Sequence, residues 1–260
     1  MGHISMLQQL SRYLRYRCAK KPMSIVYKDR HGAGLDSKDF SLNSGERQIA
    51  SNLLEIRKDH LLRYRLVSDY ISLRNHNNPS LLDIFCGNGY GTFLLTKNHS
   101  AVHVTGIDGS SEAIEFADKH YKLPNNLFKH KLFPFLLPER VYDIVVCFES
   151  LEHVVDDQLL LTQISRALKK NGIAFISVPN QDEYPLEKNL HPFHFRHYSH
   201  SGFVDRLQRK FCIEKWYGQN VYEFKDDVNT YHLLPESEMC LRERETGQFN
   251  IYLIHSRNEK

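Results

Sequence analysis

LLDIFCGNGYG, residues 81–91, decides the fold. A short apolar run stops at Cys86. Gly87, Gly89 and Gly91 follow, and then TFLLTKN, which reads as a helix. An apolar run of strand length, closed by a glycine turn that opens a helix, marks the first half of a strand–helix–strand unit. Glycines at such a turn let the backbone pass close to a ligand and keep the helix near the sheet.

The unit repeats outward from this stretch. AVHVTGID (101–108) is a second strand, and the helix over 111–121 opens on the capping residues Ser110, Ser111 and Glu112. NLFKHKL (126–132) is a third strand, and VYDIVVCFE (141–149), rich in β-branched residues, a fourth. DQLLLTQISRALKK (157–170) is an amphipathic helix stopped at Asn171-Gly172, and GIAFISVPN (172–180) is the fifth strand. SGFVDRLQRK (201–210) reads as a helix, with strands FCIEKWYG (211–218) and FNIYLIHS (249–256) after it. A long polar segment, not a helix, joins these last two strands. The alternation predicts an α/β, Rossmann-like, doubly wound fold with a mostly parallel seven-stranded sheet and an antiparallel last strand. An insertion at about 221–248 lies beside the ligand edge. Upstream, 55–75 reads as a helix leading into the core. Residues 6–21 read as a basic amphipathic helix packed on the domain, or else touching RNA or a membrane surface. This divides the chain into a helical entry segment over 1–79 and a main domain over 80–260.

Bulk composition agrees. At 260 residues, with 41% hydrophobic and 25% charged, the chain reads as a globular domain with one elaboration. A net charge of +3 is too small to argue for nucleic acid. The five cysteines lack CxxC spacing, which speaks against a zinc ribbon or a disulfide framework. No apolar run approaches ~20 residues and no signal peptide opens the chain, so a cytoplasmic protein without a transmembrane segment is expected.

Asp108 closes the second strand, 21 residues after Gly87. A carboxylate there can accept both hydroxyls of a ribose, at roughly 1.5–3 kcal/mol for each hydrogen bond to the charged group. A dinucleotide fingerprint wants Gly or Ala at position 92, which is Thr92. Asp83, inside the first strand, suits the ammonium of S-adenosylmethionine. The donor is therefore expected to be S-adenosylmethionine, and a dehydrogenase is disfavoured.

LLDIFCGNGYG, VTGIDGS, YDIVVCFESLEHV and LKKNGIAFISVPN resemble, in order and spacing, the successive motifs of class I S-adenosylmethionine-dependent methyltransferases. The resemblance covers about residues 44–220. It implies cofactor contacts at Asp83, Gly87, Asn88, Gly89, Asp108, Gly109, Phe133 and Glu149. SGER (44–47) and LLRY (61–64) look like the covering segment of a branch found with glycan and small-molecule biosynthesis, which adds Arg47 and Tyr64. Two departures stand out. Phe85 replaces a usual glycine, and Leu132-Phe133 replaces the acidic pair that marks the adenine edge, leaving adenine to apolar packing.

Glu149, Glu152 and His153 form ExxEH, similar to ubiquinone-pathway O-methyltransferases and small-RNA 3′-end 2′-O-methyltransferases. That similarity implies a divalent ion, Mg2+ or Mn2+, on Glu149, Glu152 and His153, with His200 as a fourth ligand. A metal-free reading stays open, in which His194 of HPFHFR, or His153, takes the acceptor's proton. So does a loop that only positions the substrate, with His191 and His197 as expected bystanders. The expected activity is O-methylation of a small molecule or sugar. An RNA 3′-terminal ribose acceptor, N-methylation, and non-catalytic binding of S-adenosylmethionine remain alternatives.

Overall fold

The structure, a computed structural model, describes residues 25–27, 42, 47–74, 78–188, 193–224 and 231–257. The basic stretch 6–21 and His191 lie outside the described residues. In chain order the strands are β1 (Ile25–Tyr27), β2 (Ser80–Ile84), β3 (His103–Asp108), β4 (Asn126–His130), β5 (Tyr142–Phe148), β6 (Leu168–Pro179), β7 (Arg196–Tyr198), β8 (Phe211–Gln219), β9 (Tyr222–Phe224), β10 (Tyr231–Leu233), β11 (Arg242–Glu243) and β12 (Phe249–Ser256). The helices are α1 (Lys58–Arg74), α2 (Tyr90–Asn98), α3 (Ser111–His120), α4 (Asp157–Ala167) and α5 (His200–Gln208).

Eight strands form the main sheet in the order β11-β8-β12-β6-β5-β2-β3-β4. Strands β2 to β6 run parallel, as the βα alternation requires. Strand β12 is antiparallel to both β6 and β8, so the chain's last strand closes inside the sheet and not at its edge. The eighth strand, β11, is a two-residue addition on the outer side of β8. Strand β2 has β3 on one side and β5 on the other, so the strand order reverses there and a crevice opens at its carboxyl end.

Helices cover both faces, which is why Ile144, Val145, Val146 and Cys147 in β5 are all fully buried. Leu160, Leu161 and Ile164 of α4 pack on one face with Phe203 and Leu207 of α5. Leu61, Val67 and Ile71 of α1 pack on the other with Leu94 and Leu95 of α2. Helix α4 ends at Ala167, short of the expected Lys170. Leu168 turns extended, with ψ 136°, and the chain passes directly into β6. Val221 and Met239 of the segment after β8 form a small second core with Tyr184, which lies between β6 and β7, and Phe249 of β12.

Gly87 and Gly89 both take positive φ, at 56° and 90°. A Cβ on Gly87 would meet nothing, whereas one on Gly89 would sit 2.6 Å from Ala117 Cβ and 2.8 Å from the Phe128 ring. Gly87→Ala should therefore cost only the left-handed penalty, about 1–2 kcal/mol. Gly89→Ala should add overpacking of about 1–3 kcal/mol. Urea unfolding of both variants checks this ranking, and equal losses would refute it.

Candidate active site

The crevice is lined from β2 and its turn by Phe85, Cys86, Gly87 and Asn88, and from β3 by Asp108 and Gly109. Asp108 Oδ2 accepts from Gly87 N–H at 2.9 Å, and Oδ1 from Ser110 N–H at 2.8 Å. Arg47 Nη2 reaches Oδ1 at 3.3 Å. Two backbone donors thus fix the carboxylate at the mouth of the glycine turn. Asn88 is buried, and its Oδ1 and Nδ2 have no hydrogen-bond partner among the described residues. Unmatched amide groups in a cleft wall are costly without a ligand to satisfy them. Phe85, where the sequence departs from glycine, holds φ 58°. It keeps the left-handed turn a glycine would make, and its ring packs against Phe133 and Phe135. Phe133 and Leu132 form an apolar side of the cleft.

Asp83 lies beneath this surface and does not line it. Its carboxyl accepts from Thr92 Oγ1 at 2.7 Å and from Tyr64 Oη at 3.1 Å. Burial pushes its pKa up to about 7, against the lowering effect of the two hydroxyl donors. Tyr64, whose phenol burial also pushes up, carries the surface from Asp83 to the cleft. Gly91 serves this packing: a Cβ there would fall 1.9 Å from the Tyr64 ring.

Helix α1 supplies a charged wall. Arg63 is buried and lines the cleft, with Nε donating to Gln219 Oε1 at 2.8 Å. Its Nη1 stands 3.6 Å from Glu149 and its Nη2 3.6 Å from Asp59. Burial would raise Asp59, but His60, Arg57 and Arg63 outweigh it and hold that carboxyl well below the usual range. Glu149, at φ 45°, directly follows β5 and accepts from Ser177 Oγ at 2.6 Å. Burial pushes its carboxyl up, against Arg63 and Ser177.

Beyond Glu149 the chain makes a one-turn 3-10 helix, Leu151–His153. Arg196 of β7 staples this turn, donating to the carbonyls of Leu151, Val154 and Val155 at 3.2, 2.6 and 2.8 Å. Phe195 N–H donates to the Glu152 carbonyl at 2.8 Å. The stitching brings His194 against His153, ring centroids 4.6 Å apart and edge to face. Donor atoms of Glu152, His153 and His194 lie within 4.8 Å of one another. Glu152 is fully buried, and His153 opens onto the cleft.

Of the four metal-ligand candidates, this grouping contains Glu152 and His153 and leaves out Glu149 and His200. His200 begins α5, with its Nδ1 2.9 Å from Tyr252 Oη and its ring near Trp216. His194 joins the grouping where His200 was expected; it lies just before β7, whereas His200 begins a helix. His197, expected as a bystander, lies directly behind His194. It is fully buried, with Nε2 2.8 Å from His194 Nδ1. The sequence reading missed His60, Arg63, Phe148, Ser150 and Phe193 in the wall. For α1 the available signal was His60, Arg63 and Tyr64 at helical spacing on one face.

A family model described as methyltransferase domain matches residues 75–223, more than half of the chain. The chain belongs to the methyltransferase domain family. S-adenosylmethionine is the family's methyl donor. A ubiquinone biosynthesis O-methyltransferase of Pelagibacter ubique is 30% identical over 126 residues, covering 46% of this chain and 51% of that protein. One of Rickettsia akari is 28% identical over 140 residues, 53% of each chain. The chain thus spans about half the length of the curated relatives it matches. Among solved structures, the methyltransferase in complex with the Trm112 methyltransferase activator of Haloferax volcanii superposes with TM-score 0.56. It shares 17% identity, over 78% of this chain and 94% of that one. The PH0226 protein of Pyrococcus horikoshii gives TM-score 0.54 at 16% identity, over 81% and 95%. These two share the fold.

Asp83 generates a pH prediction. A carboxyl with a folded pKa of about 7 and an ordinary value of 3.8 keeps its proton in the fold where the unfolded chain has lost it. Its contribution to stability therefore declines as pH rises from about 4 to about 7 and is level above that. Asp83→Asn, whose amide oxygen can still accept from Tyr64 and Thr92, should flatten that decline. Urea midpoints across the window check it, and parallel curves for the two proteins would refute it.

Proposed function

We propose that this chain transfers the methyl group of S-adenosylmethionine to a hydroxyl oxygen of a small-molecule or sugar acceptor, at a centre formed by Glu152, His153 and His194. The observation that carries the reading is the convergence of those three donor groups beside the cleft. In this reading Asp108 accepts the ribose hydroxyls, Asn88 and the turn amides meet the donor's polar edge, and adenine lies against Phe133. Arg63 supplies a cation for the donor's carboxylate, and Asp83, through Tyr64, settles the amino acid end. Of the entry segment, residues 47–64 cover the donor, and the described residues of 221–248 shape the acceptor's side.

One carboxylate and two imidazoles within one ion's reach fit a manganese-like divalent ion better than the all-oxygen shell magnesium prefers. Such an ion, when bound, lowers the pKa of a coordinated hydroxyl. The chain's own residues do the rest. Arg196 fixes the turn that carries Glu152 and His153. The apolar residues Val154, Val155 and Phe193 restrict water at the cleft wall. Methyl transfer is an in-line displacement: the carbon–sulfur bond breaks as the carbon–oxygen bond forms, and the hydroxyl proton leaves to a base. Alignment supplies effective molarities of about 10⁵–10⁸ M in well-oriented pairs. The O-methyltransferase names among the relatives support oxygen as the acceptor atom. The metal-free reading, with His194 as base, is favoured by the buried hydrogen bond that orients its ring.

The experiment is turnover of labelled S-adenosylmethionine with sugar nucleotides, catechols and short RNAs. Activity should appear with a small hydroxyl acceptor, vanish with chelator and return with Mn2+. Chelator-resistant turnover would leave the metal-free base. Activity on RNA alone would overturn the small-molecule acceptor, and donor binding without any turnover would make the chain a binding protein.

A further inference from the structure

We infer that His197 is a positioning residue that sets the tautomer of His194 and puts the lone pair of His194 on Nε2. The inference deepens the proposed centre and depends on that reading only for the use made of the lone pair.

The assignment follows from one fixed acceptor. His197 Nδ1 lies 2.7 Å from the carbonyl oxygen of Tyr184. A carbonyl only accepts, so His197 Nδ1 carries the proton. A neutral imidazole has one N–H, which makes His197 Nε2 an acceptor. That atom lies 2.8 Å from His194 Nδ1, so His194 donates from Nδ1. The second nitrogen of His194, Nε2, then keeps its lone pair, the form needed either to take a proton or to bind a cation. The opposite tautomer of His194 would set two lone pairs against each other across 2.8 Å.

The carbonyl that starts the chain is itself held. Tyr184 N–H donates to the Asn180 carbonyl at 2.7 Å, and the Tyr184 ring packs with Phe249 and Tyr222 in the small second core. Strand β7 is paired through Val26↔His197, which fixes the other end. The segment that reads as an insertion in the sequence thus contributes to the orientation of a ring at the centre. A histidine whose far nitrogen is oriented in this way is the arrangement found behind ligating and basic imidazoles, where losing the orienting partner weakens metal binding about 10–100-fold.

The test uses the full chain labelled with ¹⁵N-histidine, in spectra that distinguish Nδ1–H from Nε2–H rings. The His194 signals are identified by their loss in His194→Ala. Wild type should show His194 as the Nδ1–H tautomer. His197→Phe, which removes the acceptor, should shift it to the other tautomer or a mixture. His197→Gln, with an amide oxygen near the position of Nε2, should restore it, and it serves as well if the phenylalanine variant fails to fold. In parallel, Mn2+ titration should weaken about 10–100-fold in His197→Phe and recover in His197→Gln, with S-adenosylmethionine affinity unchanged in both. A wild-type His194 protonated on Nε2, or a tautomer unmoved by His197→Phe, overturns the inference. A wild type that binds no Mn2+ overturns the metal reading alone, because the tautomer is read without any ion.

Discussion

The carboxylate of Asp108 is the fixed charge on which the cleft depends. It closes β3 at the point where the strand order reverses, and the N–H groups of Gly87 and Ser110 hold it from two sides. The glycine turn after β2 is therefore tied to the end of β3 through this one side chain. Gly89, with no room for a Cβ, brings α2 down onto Ala117 and Phe128. Everything facing the crevice is registered to that junction: Phe85 and Phe133 on one side, Tyr64 and Arg63 on the other.

Much of this fold was legible in the sequence, because its signals are those of burial. Strands β2, β3, β5, β6 and β12 are apolar runs of strand length, and the helices between them carry periodic apolar faces with caps such as Ser110 and Asp156. The small pieces were not legible. β1, β7, β9, β10 and β11 are each two or three residues long, too short for any periodicity, and they form only by pairing, β1 with β7 and β11 with β8 across long stretches of chain. The position of β12 inside the sheet was equally hidden, since strand order is a tertiary property.

The site divides in the same way. Residues at strand ends, such as Asp108 and Glu149, could be placed from the pattern because strand ends face the crevice in this architecture. Asp83 shows the limit: its strand was right, but Thr92 and Tyr64 cover it. The histidines show it more sharply. Their spacing at every third position cannot say which face each takes once the chain passes from an extended run into α5. The staple from Arg196 to the turn at 151–155 turns His194 toward Glu152 and His153, while His200 goes with the helix. His197, which looked redundant, is packed behind the centre.

The most direct measurement is a crystal structure of the chain with bound S-adenosylhomocysteine. Both ribose hydroxyls should lie within hydrogen-bonding distance of the Asp108 carboxylate, with the adenine beside Phe133. A ribose seated elsewhere, or an empty crevice at saturating ligand, would contradict the account.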